Sequence, residues 1–351
     1  MTATPLRIAL IGAGAFGQRH IEILSAEPGF ALSGIADPAP ASRALAGRLG
    51  VPWAERAEDL LDAHAPDGAI IATPNALHVT QGLACLARGI PALVEKPVAD
   101  TPEGGLALAE AAEAIGIPLL IGHHRRHNPI LETARDAIAA GRIGRPVAAS
   151  ITWLIRKPDD YFDAAWRREP GGGPVMINLV HEVDALRFLL GEVVEVQAMT
   201  SAATRGFAVE DTAAVLLRLA GGLLATVAIS DAAASPWNWE QTSGENPTFS
   251  RQPAGNGVIT GTEGSLSLPH LDLWRYEAHS SIPPGWSAPM SRQRLLFTAD
   301  DPYRRQLRHF GRVIRREEPP RVTARDATRS LSLCFAVLEA ARSGRRIAVA
   351  G

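Results

Sequence analysis

Of the 35 basic residues, 33 are arginine and two are lysine, Lys96 and Lys157. An ammonium can lose its proton near neutral pH in a suitable pocket and a guanidinium cannot, so a retained lysine points to proton chemistry. Lys96 stands in Glu95-Lys96-Pro97, directly after the apolar run Pro91 to Val94. If that run is a strand, the ammonium lies at its carboxyl end. There it can hydrogen-bond a reacting oxygen and relay its proton, with Glu95 orienting it and Pro97 fixing the turn. Asn178 and His181 lie three residues apart, on one face of a helix. The imidazole can take a proton from a hydroxyl at neutral pH, and Asp184, three residues further on, can support it. The Asn178 amide can bind an oxygen but cannot act as a base.

A second constellation concerns an anionic ligand. Gly12-Ala13-Gly14-Ala15-Phe16-Gly17 has the G-x-G-x-x-G spacing and falls between an apolar run and a helical pattern. The first glycine permits the tight turn, the second lets the backbone approach a pyrophosphate, and the third lets helix and strand pack closely. The helix N-terminus then turns free N–H groups and its positive end toward the phosphates. Asp37 follows 20 residues after Gly17, at the end of the next apolar run, where a carboxylate accepts hydrogen bonds from ribose hydroxyls and repels a 2'-phosphate. NAD is therefore expected rather than NADP, with Arg43 the one counter-signal, since an arginine there could serve that phosphate.

These residues need an alternating α/β frame, and the first third of the chain supplies it. Strands are expected at Arg7–Ile11, Ala31–Ala36, Gly68–Ala72, Pro91–Val94 and Pro118–Ile121. Helices are expected near Ala15–Ala26, Ser42–Leu49, Glu58–His64, Leu77–Arg88 and Pro102–Ile115. Continuous apolar runs mark strands buried on both faces, so this is a doubly wound parallel sheet. From about Pro146 longer alternating strands follow, at Ala148–Ile155, Val193–Ala203, Ala213–Leu219, Leu223–Ser230 and Gly264–Arg275, which suit an open, mainly antiparallel sheet. Helices are expected at Val175–Leu190, Pro302–Arg316 and Ala324–Arg342, and loops at Trp237–Gly257 and His279–Ser291. The expected division is 1–122 for the dinucleotide-binding domain and 123–351 for a substrate-binding and oligomerisation domain, with room for the C-terminal helices to pack back on the first.

Composition narrows the class. A chain of 351 residues, 46% hydrophobic and 21% charged, has the make-up of a two-domain globular protein. A net charge of -2 gives no field for a polyanion, so nucleic acid is not an expected partner. Cys85 and Cys334 alone make neither a disulfide framework nor a metal cage and fit a reducing cytoplasm. No signal peptide is expected, because Leu6 to Ile11 follows Met1 to Pro5 at once, and the apolar stretch Ala213 to Ala234 is broken by Arg218, Gly221-Gly222 and Asp231 into two strands rather than a membrane span. His123, His124 and His127 do not form an expected metal site, since Arg125 and Arg126 lie between them and no acidic or cysteine partner is near.

Thr73-Pro74-Asn75 with His78, Glu95-Lys96-Pro97, Gly171-Gly172-Gly173 ahead of a helix bearing His181 and Asp184, and the turn Gly261-Thr262-Glu263-Gly264 occur in this order. Together they resemble the marks of the Gfo/Idh/MocA family, and the likeness runs over nearly the whole chain. The resemblance implies a Rossmann domain followed by an open-sheet α/β domain that builds the substrate site and often an oligomer face, here a dimer or tetramer. It implies hydride transfer between a secondary alcohol of a cyclic or sugar-like substrate (polyol, sugar, sugar acid or cyclic cis-diol) and a nicotinamide cofactor. Gly12, Gly14, Ala15, Phe16, Gly17, Asp37, Thr73, Pro74, Asn75, His78, Glu95 and Lys96 would bind that cofactor, and Lys96, His181 and Asn178 would be catalytic. The family usually carries Asp and His on this helix face. Asn178 replaces the carboxylate, so proton transfer falls to His181 and Lys96.

His124, Arg125 and Arg126 match a family segment that lines the substrate cleft. In the loop before the His181 helix, Arg156, Lys157 and Arg167 could meet a substrate carboxylate while Tyr161 or Trp166 packs on a ring or sugar face. The same residue types also suit a subunit interface. Two other readings stay open: a glycosidase that keeps NAD bound and works by transient oxidation, and a non-catalytic dinucleotide-binding regulator. The retained Glu95-Lys96-Pro97 and His181 count against the regulator, which has no need of proton-handling groups.

Overall fold

The computed structural model describes residues 4–277 and 281–349. The chain forms two compact units, one of Met1–His127 with Asp300–Leu331, the other of Asn128–Ala299 with Ser332–Gly351.

In the first unit, strands β1 (Leu6–Ile11), β2 (Phe30–Ala36), β3 (Trp53–Ala54), β4 (Gly68–Ile71), β5 (Ala92–Val94) and β6 (Leu119–Ile121) form a parallel sheet in the order β3-β2-β1-β4-β5-β6. That order is the doubly wound dinucleotide-binding topology, with its switch point between β1 and β4. Helices α1 (Ala15–Ala26), α2 (Pro40–Leu49), α3 (Ala57–His64), α4 (His78–Leu86) and α5 (Pro102–Ile115) connect the strands. Ile8 to Ile11, Ala69 to Ile71 and Ala92 to Val94 are almost wholly buried, as two-faced strands require. β3 was not legible as a strand because two residues carry no periodicity.

The sequence reading ends this domain at Gly122 and assigns 300–331 to the other. Steric fit explains the return of that segment to the first unit. A Cβ on Gly68 would lie 2.7 Å from Ile314 Cδ1, and one on Gly311 2.7 Å from the Phe30 ring, so the two glycines make room for close packing.

The second unit adds α6 (Pro129–Ala139), β7 (Pro146–Leu154), α7 (Val180–Leu190), β8 (Val193–Ser201), β9 (Thr212–Leu219), β10 (Leu224–Ser230), α8 (Trp239–Ser243), β11 (Gly257–Gly261), β12 (Gly264–Leu268), β13 (Asp272–Tyr276) and β14 (Met290–Arg294). Helices α9 (Pro302–Ile314) and α10 (Ala324–Ser343) and strand β15 (Ile347–Ala348) complete the chain, the division between units falling within α10. The nine-stranded sheet has the order β14-β13-β12-β11-β7-β10-β9-β8-β15, and only the β7–β10 pair is parallel. Val215, Leu217 and Leu219 alternate into a core shared with Val180, Val183 and Leu186 of α7. They are core residues, while Leu216 and Leu224 on the opposite face are exposed.

Three sequence expectations need correction. Gly264–Arg275 is two strands, because the chain reverses at Pro269 to Leu271, where Leu271 takes φ +58° and its N–H bonds back to Ser267 O at 2.9 Å. The Trp237–Gly257 loop contains α8, capped by Asn238 Oδ1 on the Gln241 N–H and held by buried Trp239. The His279–Ser291 loop ends earlier, in β14, while His279 and Ser280 lie outside the described residues.

Candidate active site

The turn from β1 into α1 is built as its glycines require. Gly12 sits at φ +91°, and a Cβ there would lie 2.7 Å from Ala72 O. A Cβ on Gly17 would lie 2.1 Å from Gly12 O, whereas one on Gly14 would meet nothing within 4 Å. The first and third glycines therefore serve packing, and the second opens the backbone toward a ligand. No side chain caps α1, and its first turn carries no acidic residue, which leaves its N–H groups for an anion. Asp37 accepts from Ala13 N at 2.7 Å through Oδ2 and from Ala39 N at 2.8 Å through Oδ1. Ser42 Oγ donates to Oδ1 as well, at 3.0 Å, so the carboxylate braces the loop and keeps one lone pair on Oδ2 for a ribose hydroxyl. Exposed Arg43 lies over Trp53, 5.2 Å from the ring centroid. Cradle, open second glycine and acidic strand end fit NAD.

Lys96 stands half-buried past the end of β5, joined to Pro97 by a cis peptide bond. Its Nζ lies 6.0 Å from the ring centroid of Phe16, itself half exposed in the glycine loop. Ammonium and dinucleotide loop thus share the carboxyl edge of one sheet. Behind them Glu95 is buried, accepting from His20 Nε2 at 2.8 Å and from Lys96 N at 3.2 Å. Burial alone would raise its carboxyl pKa; the hydrogen bond from His20 and the charges of His20, His124 and Lys96 outweigh burial and hold it below the usual range.

His20 was missed by the sequence reading. Its signal is its place in the buried stripe Gly17, His20, Ile21, Leu24 of α1, where a polar residue needs a partner. Tyr303 of α9 was also missed. It stacks on His124 with ring centroids 4.1 Å apart and meets His20 edge-on at 6.3 Å.

Several expected ligand residues turn inward instead. His78 is buried with Nδ1 2.8 Å from Pro97 O and Nε2 2.9 Å from Thr73 O, so both ring nitrogens are committed to backbone carbonyls. It clamps the Thr73-Pro74-Asn75 turn to Lys96-Pro97. Burial lowers its pKa, and the two carbonyls oppose that shift because only the protonated ring donates from both nitrogens. Thr73 Oγ1 donates to Gln81 Oε1 at 2.6 Å, and Asn75 opens a short 3-10 turn to Leu77. His124 to His127 form a buried 3-10 turn rather than an exposed basic loop. Arg126 is paired with Asp326 at 2.6 Å, and Arg125 is buried to 3% exposure.

The second unit holds the other candidates. Asn178 lies in a π-helical turn, Val175–Leu179, that leads directly into α7 and His181. Such turns recur at functional sites because they re-aim one side chain without ending the helix. Pro174 precedes the turn, and Glu210 Oε1 accepts from Val175 N at 3.0 Å. A Cβ on Gly173 would lie 2.3 Å from that oxygen, which accounts for the last glycine of the triplet. His181 is buried to 8% exposure, and Asp184 lies 3.9 Å from Arg187.

Lys157 donates from Nζ to Asn178 Oδ1 at 2.9 Å and lies 3.5 Å from Asp231 Oδ2. Asp231 also accepts from Arg205 Nε at 3.0 Å. Burial raises the Asp231 carboxyl, with Lys157 and Arg205 opposing. Asp231 and Arg205 were not named as site residues, although a charge inside the apolar stretch Ala213 to Ala234 marks a position that needs a partner. Arg167 lies over Tyr161 at 3.9 Å and over exposed Trp166 at 5.3 Å, and its Nη1 donates to Tyr161 O at 2.5 Å. Arg156 is exposed and 3.6 Å from Asp159. The cations expected to meet a carboxylate are thus largely matched by Asp231, Asp159 and aromatic faces.

Residues 6–123 match the model of the oxidoreductase family with an NAD-binding Rossmann fold, and residues 131–267 match the GFO/IDH/MocA C-terminal domain. The chain belongs to the GFO/IDH/MocA family. It is similar to 1,5-anhydro-D-fructose reductase of Ensifer adhaerens, 31% identical over 64% of this chain and 72% of that one. The rhizopine catabolism protein MocA of Rhizobium meliloti is 36% identical over 54% of this chain and 58% of its own length. Inositol 2-dehydrogenase of Streptomyces avermitilis is 34% identical, over 64% and 65%. The matches to these last two span 58% and 65% of those relatives, less than two thirds of each. Among solved structures, the WlbA dehydrogenase from Bordetella pertussis in complex with NADH and UDP-GlcNAcA shares the fold at TM-score 0.79 and 23% identity over 99% of both chains. An Agrobacterium radiobacter oxidoreductase in complex with NAD+, L-tartaric acid and magnesium does so at 0.80 and 21%, over 98% of both. This GFO/IDH/MocA protein therefore has an NAD-binding Rossmann domain and a mixed, mainly antiparallel second sheet, and no helix among its described residues is long and apolar enough to cross a membrane.

Proposed function

We propose that this chain is a dehydrogenase that oxidises a secondary alcohol of a neutral cyclic polyol or sugar. The observation that carries the reading is the placement of the Lys96 ammonium beside Phe16 of the dinucleotide loop, at the edge of the Rossmann sheet where ligands bind. NAD, when bound, supplies a hydride acceptor. The chain's own residues handle the proton. Lys96 hydrogen-bonds the reacting oxygen and stabilises the negative charge that grows on it, while buried, ionised Glu95 keeps the ammonium charged and oriented. His181 takes the hydroxyl proton, and Asn178 binds a neighbouring substrate oxygen. Because Asp231 and Asp159 offset two of the three charges of Lys157, Arg205 and Arg156, and buried Asp231 together with Asn178 holds the Lys157 ammonium, that ammonium is not turned to a carboxylate, which favours a neutral substrate over a sugar acid. Relatives named for inositol and anhydrofructose act on compounds of that kind. Homo-oligomerisation and a cytoplasmic location go with this reading.

The test is NADH formation by the purified protein with myo-inositol, D-glucose, D-xylose and D-gluconate, each with NAD and with NADP. Turnover of a neutral polyol with NAD supports the reading. Turnover of gluconate alone would move the substrate to the acids, and cleavage of a glycoside without net NADH would replace the dehydrogenase with a glycosidase.

A further inference from the structure

Lysine Nζ has three donors and no acceptor, so the atom of Asn178 that faces Lys157 must be the amide oxygen. Chemistry alone thus fixes an orientation that is otherwise ambiguous between O and N. With Oδ1 turned to Lys157, Nδ2 points away from it. That nitrogen makes no hydrogen bond to any described residue of the chain, on a half-buried side chain one turn before His181.

The lysine is itself held in place. Its side chain is 11% exposed and Asp231 is 2% exposed. Arg205 grips both: Nε bonds Asp231 Oδ1, and Nη2 donates to the backbone oxygens of Asp231 at 2.6 Å and Lys157 at 3.0 Å. Lys157 N donates in turn to Asp231 O at 2.9 Å. Trp153 and Tyr161 present their ring faces to the ammonium at 5.6 and 4.7 Å. An ammonium so enclosed can neither swing out to a ligand nor leave Asn178 free to flip.

We infer that Lys157 is a positioning residue that locks the Asn178 amide with both N–H bonds turned toward substrate. The site then reads a substrate oxygen as a hydrogen-bond acceptor, an ether, carbonyl or hydroxyl lone pair. This corrects the expectation that Lys157 touches substrate itself. It rests on the reading of Asn178 as a substrate-binding residue, and the two are separable by experiment.

Since the chain has only two lysines, selective labelling with [15N-ζ]lysine gives at most two ammonium signals, assigned by their loss in Lys96→Arg and Lys157→Arg. The lock requires Asn178→Leu to shift the Lys157 signal and speed its hydrogen exchange while the Lys96 signal stays fixed. A Lys157 signal indifferent to Asn178→Leu overturns the proposal. In the polyol assay, Lys157→Met and Asn178→Leu should each raise KM about tenfold, the size of one lost hydrogen bond, with kcat changed less. The double variant should be no worse than either single, because the lysine acts only through the amide. Lys157→Arg, which still donates to Oδ1, should recover most of the loss. Multiplicative defects in the double variant, or a Lys157→Met defect confined to kcat, overturn the positioning role. If the wild-type protein oxidises none of the polyols, the oxidation reading fails, and the labelled-lysine spectrum still decides whether the lock exists.

Discussion

The two lysines do opposite things with the same chemistry. Lys96 is placed by a short, contiguous piece of chain: its strand ends at Val94, its own backbone N–H is held by the preceding residue, and its ammonium lies 6.0 Å from a ring of the glycine loop. Lys157 is placed by residues 21, 48 and 74 positions away, Asn178, Arg205 and Asp231, and is enclosed on all of them. An ammonium left half-buried beside the dinucleotide loop can do proton chemistry. One whose charge is consumed by a buried carboxylate fixes geometry. Side-chain type alone therefore does not identify the catalytic cation; the identity of what surrounds it does.

The sharpest way to break this contrast is to remove the support behind Lys96. Glu95→Leu leaves His20 in a buried site without its carboxylate, and a buried polar group left without its hydrogen-bond partner costs about 1–3 kcal/mol. Chemical denaturation should show a loss of that size, whereas a loss under about 1 kcal/mol would mean the pair is not the anchor claimed here. A smaller effect is expected at the loop itself. Gly17→Ala places a Cβ 2.1 Å from Gly12 O, so the turn must shift, and NAD affinity measured by calorimetry should fall at least roughly tenfold, the value of one or two phosphate contacts. Gly14→Ala, whose Cβ meets no protein atom, should leave the unfolding midpoint unchanged and weaken NAD alone.

The smallest effect is a pH dependence of the first unit. Burial, followed by the charges of Arg321, His309, His124 and Arg305, holds His127 well below its ordinary 6.5. A histidine depressed in the folded state contributes stability that is present above about pH 6.5 and lost as pH falls toward its folded pKa, at up to about 1.4 kcal/mol per pH unit for one group. His127→Phe removes the titrating ring and an Nε2 that has no hydrogen-bond partner among the described residues. Unfolding between pH 5 and 6.5 should become less pH-sensitive in this variant; an unchanged slope would assign the dependence to His78 and His309, which burial also depresses.

What the sequence disclosed follows the same division. The β1 loop, Asp37 and Lys96 were legible because strand, turn and helix signals are contiguous there and each glycine has a local reason. The partners of Lys157 were not, because they are joined by loop packing that leaves no periodic trace, and a carboxylate in an apolar run says only that some partner exists. The basic run His124 to His127 was misjudged in the same way. Its composition suggests solvent or substrate, yet Asp326 and Tyr303, nearly 200 positions away, bury it. The contacts of the His78 ring nitrogens with the Thr73 and Pro97 carbonyls leave no trace in the sequence either.

The central claim is that Lys96, not Lys157, is the ammonium that hydrogen-bonds the reacting oxygen. Its most direct test compares NADH formation from a neutral polyol by the wild-type protein and by Lys96→Met, with NAD binding measured on the same samples. The account expects Lys96→Met to lose about a hundredfold to ten-thousandfold in kcat while binding NAD as the wild type does. Wild-type turnover in Lys96→Met would contradict it.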